Sequence, residues 1–204
     1  IGVGSLGTRS EIAAELIIAG GNKSQKEKWL PRLAKAESIG CFGLTESHGG
    51  SDPSNMKTQA KKDGDDWIIN GSKMWITNGS IADVALIWAM TDEGIRGFIV
   101  ETSSKGFVAN KIENKFSLRA SITSELFLDN VRVSNDRVLP NVIGLKGPLS
   151  RLTQARYGIS WGVIGAAEDC LEQLLEFVLL LSFYTCLARS RNLQKLPVLV
   201  SNNL

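Results

Sequence analysis

The sequence predicts an α+β fold, in which helices lie before and after a compact antiparallel β domain, either a sandwich or a barrel. Apolar residues at helical spacing, including Trp29, Leu30 and Leu33, mark the N-terminal part. About one hundred residues of short apolar runs follow, separated by Gly, Asn, Asp and Ser, as is typical of all-β domains. A second helical pattern begins near Leu149. The predicted segments are residues 1–38 (helical), 39–140 (β), 141–148 (linker) and 149–204 (helical).

The N-terminal region is expected to contain two helices. The first is predicted to begin at the capping residue Ser10 and to end at Gly20 and Gly21. In the second, Pro31 lies inside the helical pattern, and its ring and missing N–H predict a kink or a new first turn.

Short turn signals divide the β region into strands. The run DGD at residues 63–65 predicts a hairpin between MKTQAKK and DWIIN. Two Asn-Gly pairs, at residues 70–71 and 78–79, predict further hairpin turns, because both residue types tolerate a positive φ. These pairs also match the glycosylation triplet, but the turn interpretation is favoured.

The C-terminal helical pattern contains the most apolar stretch of the chain, residues 177–188. Its uncharged run is shorter than the roughly 20 residues that cross a bilayer. A buried helix segment is therefore favoured, and a membrane span is the minority alternative. Gly158, Gly162 and Gly165 each weaken the helix by about 1 kcal/mol relative to Ala, and their spacing permits close approach of another helix or a ligand.

Composition excludes several functional classes. The chain has 204 residues and a net charge of +2, so no basic field indicates nucleic-acid binding. The three cysteines, Cys41, Cys170 and Cys186, are far apart and odd in number, which favours free thiols over a disulfide framework. A single histidine, His48, cannot build a zinc site alone, and no metal site is predicted.

Two motifs point to chemistry. GLTESHGGSD, at residues 43–52, brings a strand into a loop rich in backbone N–H groups and hydroxyls, which suits a phosphate or a polar heterocycle. MWITN, at residues 74–78, places Trp75 beside the Thr77 hydroxyl, where a planar ring could stack and accept a hydrogen bond. The alternatives are an ordinary long turn and a core tryptophan.

At this spacing the two motifs resemble those of the acyl-CoA dehydrogenases, and the helical–β–helical order agrees. KFSLRAS, at residues 115–121, and residues 155–172 are most similar to glutaryl-CoA dehydrogenase. The resemblance covers about residues 21–172 and implies that FAD binds between the β domain and the C-terminal helices. The cofactor-binding residues that it implies are Phe42, Gly43, Leu44, Thr45, Gly50, Ser51, Trp75, Ile76 and Thr77.

The resemblance also implies a substrate, an acyl-CoA thioester. Its contacts would come from Ser51 and from the start of the second helical region, where Arg151 and Arg156 could meet an anionic group or be solvated. The implied substrate-binding residues in that region are Leu149, Ser150, Arg151, Leu152, Thr153, Gln154, Ala155 and Arg156.

The implied reaction is α,β-dehydrogenation, with decarboxylation of glutaryl-CoA to crotonyl-CoA in lysine and tryptophan breakdown. Electrons would pass to an electron-transfer flavoprotein, and the enzyme would be a homotetramer of the mitochondrial matrix. The family's base is a glutamate of the C-terminal helices, whose motif does not appear after Glu172. We therefore assign no catalytic residue and expect an inactive fragment. The alternatives are a flavin-, CoA- or subunit-binding fragment and a relative of the acyl-CoA oxidases.

Overall fold

The computed structural model describes residues 3–193 and forms two compact units, which divide between Arg156 and Tyr157. The end of the predicted tail, residues 194–204, lies outside the described residues. The first unit holds two helices and one sheet, and the second continues a long helix. The helical–β–helical order predicted from the sequence is confirmed. The segment boundaries drawn from the sequence stay predictions.

The two N-terminal helices are α1 (Val3–Gly20) and α2 (Lys23–Ala34). The predicted start at Ser10 is wrong, because α1 already runs through that residue. Between the helices, Asn22 caps α2 through a hydrogen bond from the Gln25 backbone N–H, and the Gln25 side chain accepts one from the Asn22 N–H. Pro31 lies inside α2, close to its end.

One sheet is formed by eight strands within the described residues. The strands are β1 (Gly40–Gly43), β2 (Gln59–Asp63), β3 (Asp66–Thr77), β4 (Val84–Thr91), β5 (Gly94–Glu101), β6 (Phe107–Lys111), β7 (Thr123–Ser134) and β8 (Val138–Ile143). Their order in the sheet is β6-β7-β3-β2-β4-β5-β8, with β1 added on β4. Most pairs are antiparallel, as predicted, but β1 and β2 both pair with β4 in parallel, so the sheet is mixed.

The predicted hairpin at residues 63–65 is confirmed, since β2 and β3 pair directly across Gly64, whose φ is +64°. The hairpin predicted at residues 70–71 is wrong. That pair lies inside β3, where β3 pairs with β7 on both sides of a register shift, and long-range pairing outweighs the local turn signal. Residues 78–79 do follow the end of β3, but no hairpin forms there, because β2 lies between β3 and β4.

Strand β4 is the centre of the packing, because its two faces belong to different cores. Ala85 and Ile87 pack against the interior of the β domain, whereas Leu86 and Trp88 pack against the helices. Such a strand is continuously apolar rather than alternating. The helix-side core also contains the helix residues Ile12, Ala13, Leu16, Ile17, Trp29 and Leu33.

The predicted linker, residues 141–148, is mostly regular structure. Strand β8 runs to Ile143 along the edge of β5, and helix α3 (Lys146–Leu193) begins three residues later. The backbone N–H of Gly144 donates to the Ile95 carbonyl, which fixes the short connection between them. Pairing with β5 therefore overrides the Gly and Pro signals that suggested a loop.

The apolar stretch at residues 177–188 is helical, as predicted, but its side chains are exposed among the described residues rather than buried. From Tyr157 to Ser190 every described side chain of α3 is exposed. The part of α3 from Lys146 to Ser190 is long and apolar enough to cross a membrane, which is a weak indication of a span, since soluble core helices also pass this test. The large exposed side chains include Phe177, Leu179, Leu180, Leu181, Phe183 and Tyr184.

We expect the exposed part of α3 to make the isolated chain self-associate, because a large contiguous apolar surface is stabilised when it is buried against another apolar surface. In sedimentation velocity, Leu179→Glu combined with Phe183→Glu should shift the chain toward a monomer. A sharp monomer peak for the unmodified chain would contradict this expectation.

A second expectation concerns the shift inside β3. Gly71 has a φ of +147°, and a Cβ there would lie 2.6 Å from the Thr58 Cα. Gly71→Ala should therefore destabilise the fold by about 2–4 kcal/mol in urea unfolding. The matched control is Gly64→Ala, which also has a positive φ but meets no atom within 4 Å. The Gly64→Ala variant should lose only about 1 kcal/mol of unfolding free energy. An equal loss in the two variants would rule out the steric explanation for Gly71.

Candidate functional site

The two sequence motifs meet at the end of β1 and the second half of β3. The backbone N–H of Met74 donates to the Thr45 carbonyl at 2.9 Å. The Lys73 ammonium donates to the Leu44 carbonyl at 3.2 Å. Residues far apart in the chain are thus joined by direct hydrogen bonds.

A buried ion pair lies at this junction. Lys73 Nζ contacts Glu46 Oε1 at 2.8 Å, and the two side chains are 0% and 3% exposed. The same carboxylate accepts the backbone N–H groups of Lys57 at 2.6 Å and Thr58 at 3.0 Å. His48 Nε2 lies 3.4 Å from Glu46 Oε2 at the outer side. Glu46 is therefore an ionised structural acceptor whose hydrogen-bonding capacity is largely filled.

The pKa values of the pair reflect this environment. Burial raises the pKa of Glu46, but hydrogen bonds from Lys73, Thr58 and Lys57 outweigh it and lower the pKa to about 2. Burial also lowers the pKa of Lys73 to about 8, against the opposing effect of Glu46. Both groups are charged at neutral pH.

The loop after Glu46 is held by a short set of hydrogen bonds. Glu46 and Gly49 exchange both backbone hydrogen bonds, at 3.3 and 3.1 Å. Asp52 then accepts the Ser54 backbone N–H at 2.9 Å and begins a 3₁₀ turn at residues 53–55. This loop keeps the hydroxyl- and glycine-rich motif close to β3.

Trp75 projects outward from a bulge in β3. Its φ is +62°, and the pairing of β3 with β7 shifts between Lys73 and Ile76. A large residue with a positive φ is an uncommon, strained conformation. The indole is 58% exposed, whereas Ile76 is buried in the interior core. The bulge therefore turns the aromatic ring away from the core, and the alternative of a core tryptophan is wrong.

A cleft of about 490 Å³ begins at this indole. We call it the Trp75 cleft. Lys115 shapes its far wall by donating hydrogen bonds to the carbonyls of Leu118 and Ser121 and to the hydroxyl of Thr123. The residues that line the cleft are Trp75, Thr77, residues 112–118, Ser121 and Thr123.

The predicted cofactor-binding residues fall into two groups. Thr45, Gly50, Ser51, Trp75 and Thr77 are partly or fully exposed, and a Cβ on Gly50 would lie 3.7 Å from the Thr45 methyl. The remaining residues are buried. Only their backbone groups could reach a ligand, because the side chains of Phe42 and Leu44 lie in the helix-side core and that of Ile76 in the interior core, while a Cβ on Gly43 would lie 2.6 Å from Ile87.

Apart from Ser51, which lies in the loop after Glu46, the predicted substrate-binding residues lie on the first turns of α3. The guanidinium of Arg151 forms an ion pair with Glu15 at 3.0 Å, and Leu152 and Ala155 pack against the helix-side core. The Ser150 hydroxyl donates to the Gly147 carbonyl at 2.8 Å. Leu149, Thr153 and Arg156 are exposed, and for Gln154 only the helical backbone is described.

Two lysines at the site are not among the residues predicted from the sequence. Lys73 occupies an inward-facing position of β3, and a lysine at such a position indicates a buried partner. Lys115 enters the sequence argument only as part of the motif at residues 115–121. Its role depends on loop geometry, for which the sequence offers no signal.

Within residues 3–193 the cysteines Cys41, Cys170 and Cys186 are free, and no cluster of three or more His, Cys, Asp or Glu could hold a metal ion.

Comparison with known proteins agrees with this geometry. Residues 41–131 match the acyl-CoA dehydrogenase middle domain. The short-chain specific acyl-CoA dehydrogenase of Clostridium acetobutylicum is 40% identical over 180 residues, which cover 82% of this chain and 46% of that protein. The chain belongs to the acyl-CoA dehydrogenase family. The resemblance stated from the motifs is therefore confirmed.

Other members of the family are similar over the same part. A crystal structure of a glutaryl-CoA dehydrogenase from Mycobacterium smegmatis in complex with FADH2 is 57% identical, with a TM-score of 0.77, and the match covers 78% of this chain and 42% of that one. The mitochondrial isovaleryl-CoA dehydrogenase of Pongo abelii is 35% identical over 182 residues, covering 85% of this chain and 43% of that protein. The chain spans less than half the length of these relatives.

We expect Glu46→Gln to weaken the fold most at neutral pH. Removing one partner of a buried pair costs about 3–5 kcal/mol. Because the folded-state pKa of Glu46 is lowered from 4.5 to about 2, its contribution is complete above about pH 4.5 and is lost as the pH falls through about 2. That contribution amounts to about 3 kcal/mol.

The measurement is urea unfolding of both proteins between pH 7 and pH 3. The difference in unfolding free energy between the unmodified chain and the Glu46→Gln variant should become smaller as the pH falls. Glu37→Gln, at an exposed carboxylate, serves as the control and should change little. A difference that stays constant with pH would show that Glu46 does not titrate as described.

Proposed function

We propose that this chain forms the flavin-binding part of an FAD-dependent acyl-CoA dehydrogenase. The observation that carries the proposal is the outward-turned indole of Trp75, which stands with Thr77 at a cleft of about 490 Å³. Thr45 does not line that cleft, but its carbonyl accepts a hydrogen bond from the neighbouring Met74. Cofactor sites are concave and mostly apolar with a few placed polar groups. An exposed aromatic face next to hydroxyls fits a planar ring with a polar edge, so the residues present suit FAD.

In the proposed complex the protein supplies position and polarity. Trp75 would stack on one part of the ring system, and the Thr77 hydroxyl would donate a hydrogen bond near the reactive nitrogen. Thr45 and the backbone of the loop at Gly50 and Ser51 would contact the polar edge and the thioester side. The chemistry that FAD would supply when bound is that of a hydride acceptor in the oxidation of an acyl-CoA.

The substrate proposed is glutaryl-CoA, with decarboxylation to crotonyl-CoA. It is supported by the glutaryl-type motifs at residues 115–121 and 155–172 and by the 57% identity to the Mycobacterium smegmatis enzyme. Leu149 to Arg156, at the start of α3, would run along the acyl-CoA. Since Arg151 is paired with Glu15, it would have to exchange that partner for a substrate anion.

Three described carboxylates are engaged in ion pairs, and we assign none of them as the base. Glu113, which lines the cleft, pairs with Lys111 at 2.9 Å. Glu46 is held ionised by Lys73, and its low pKa makes it a poor proton acceptor. Glu101 forms ion pairs with Lys28 and Arg137. We therefore propose that this chain, tested by itself, binds flavin without turnover.

The proposal extends to the family's partners. Electrons would leave through an electron-transfer flavoprotein, and the complete enzyme would be a homotetramer that acts in lysine and tryptophan breakdown. Bacterial and mitochondrial relatives match this chain to a similar degree. A mitochondrial matrix location therefore rests on the resemblance alone.

Titration of FAD into the purified chain tests the proposal. We expect saturable quenching of flavin fluorescence, and we expect Trp75→Ala to weaken binding about tenfold, since loss of one stacking contact costs about 1–1.5 kcal/mol. Phe127→Ala is the matched control, because Phe127 is also an exposed aromatic residue but does not line the cleft. It should bind as the unmodified chain does.

Absence of saturable binding by the folded chain would overturn the proposal. If the Trp75→Ala variant bound FAD with the same affinity as the unmodified chain, the flavin site would have to lie outside the cleft. Dye reduction with glutaryl-CoA tests the proposal that the chain by itself has no turnover. Steady dye reduction by the chain alone would contradict it.

A further inference from the structure

We propose that Lys73 is a positioning residue, which holds the Thr45 side of the flavin site in register with the Trp75 side through its ion pair with Glu46. The inference rests on the function proposed above. It assigns a role to an ammonium group whose side chain is fully buried and therefore acts through its neighbours.

The contacts of Lys73 surround Thr45. Its ammonium donates to the Leu44 carbonyl at 3.2 Å and to Glu46 Oε1 at 2.8 Å, which are the residues on either side of Thr45. Next to Lys73 in β3, the Met74 N–H donates to the Thr45 carbonyl itself at 2.9 Å. Residues 44–46 are thus hydrogen-bonded to two consecutive residues of β3, Lys73 and Met74.

The same contacts stabilise the bulge. Between Lys73 and Ile76 the pairing of β3 with β7 is interrupted, so Met74 and Trp75 lie outside that ladder. The Met74 N–H is satisfied by Thr45 instead. The strained φ of Trp75 therefore persists between a buried ion pair on one side and a buried Ile76 on the other.

Apolar side chains in place of Glu46 and Lys73 could fill the same space, but they would not fix the position of Leu44 and Thr45 relative to β3. Hydrogen bonds to ionised groups are shorter and more directional than apolar contacts, and Glu46 is fixed in turn by the Lys57 and Thr58 backbone N–H groups. The titratable side chain that also contacts the pair is His48, which lies 3.4 Å from Glu46 at the exposed side.

The test compares flavin affinity with folding. Lys73→Met leaves Glu46 unpaired and can fail to fold, so the decisive variant is the double change Lys73→Met with Glu46→Gln, which removes both charges. We expect it to keep its circular dichroism spectrum and cooperative unfolding while its Kd for FAD rises at least tenfold. The control is Lys28→Met, which breaks the partly exposed pair with Glu101 and should leave Kd unchanged.

A folded double variant with unchanged affinity would overturn the inference. The unmodified chain provides a second measurement that does not depend on any variant. Since Lys73 loses its proton as the pH rises through about 8, the affinity for FAD should fall between pH 7 and pH 9 while circular dichroism stays constant. A flat profile would also overturn it. If the unmodified chain binds no flavin at pH 7, the proposed function itself fails, which is a distinct result.

Discussion

The ion pair between Glu46 and Lys73 lies where a loop, a short strand and a bulged strand come together. Two charges removed from water are costly unless their remaining hydrogen-bonding groups are satisfied. Here the carboxylate accepts two backbone N–H groups as well as the ammonium, and the ammonium also reaches the Leu44 carbonyl. The cost of burial is offset only when all of these segments are in place, so the pair specifies one arrangement of the loop.

The local features of the fold follow from the sequence because their causes are local. The Gly64 turn joins adjacent strands, and the helical periodicity around Trp29 and Leu33 reflects one buried helix face. In both cases the residues that determine the structure lie within a few positions of it. The meeting of the motifs at residues 43–52 and 74–78 has no such local cause: the family resemblance implies it, and a backbone hydrogen bond joins the two motifs.

The features that sequence analysis missed depend on partners far along the chain. Asn70 and Gly71 favour a turn, but pairing with β7 keeps them inside a strand. The first part of the supposed linker, residues 141–143, is a strand because β8 pairs with the edge of β5. The inward-facing position of Lys73 indicates a buried partner, but that partner, Glu46, lies far along the chain. No short-range pattern contains this information, which is why the direction of β1 and the bulge at Trp75 were also not anticipated.

The parallel pairing of β1 with β4 has a consequence for the order of folding. Gly40 pairs with Val84 and Gly43 with Ile87, so β1 cannot join the sheet until a strand synthesised much later is available. Parallel, long-range contacts of this kind form slowly. A nascent chain that has already produced both motifs would therefore still lack the site, and its competence to bind a ligand would arise together with closure of the sheet.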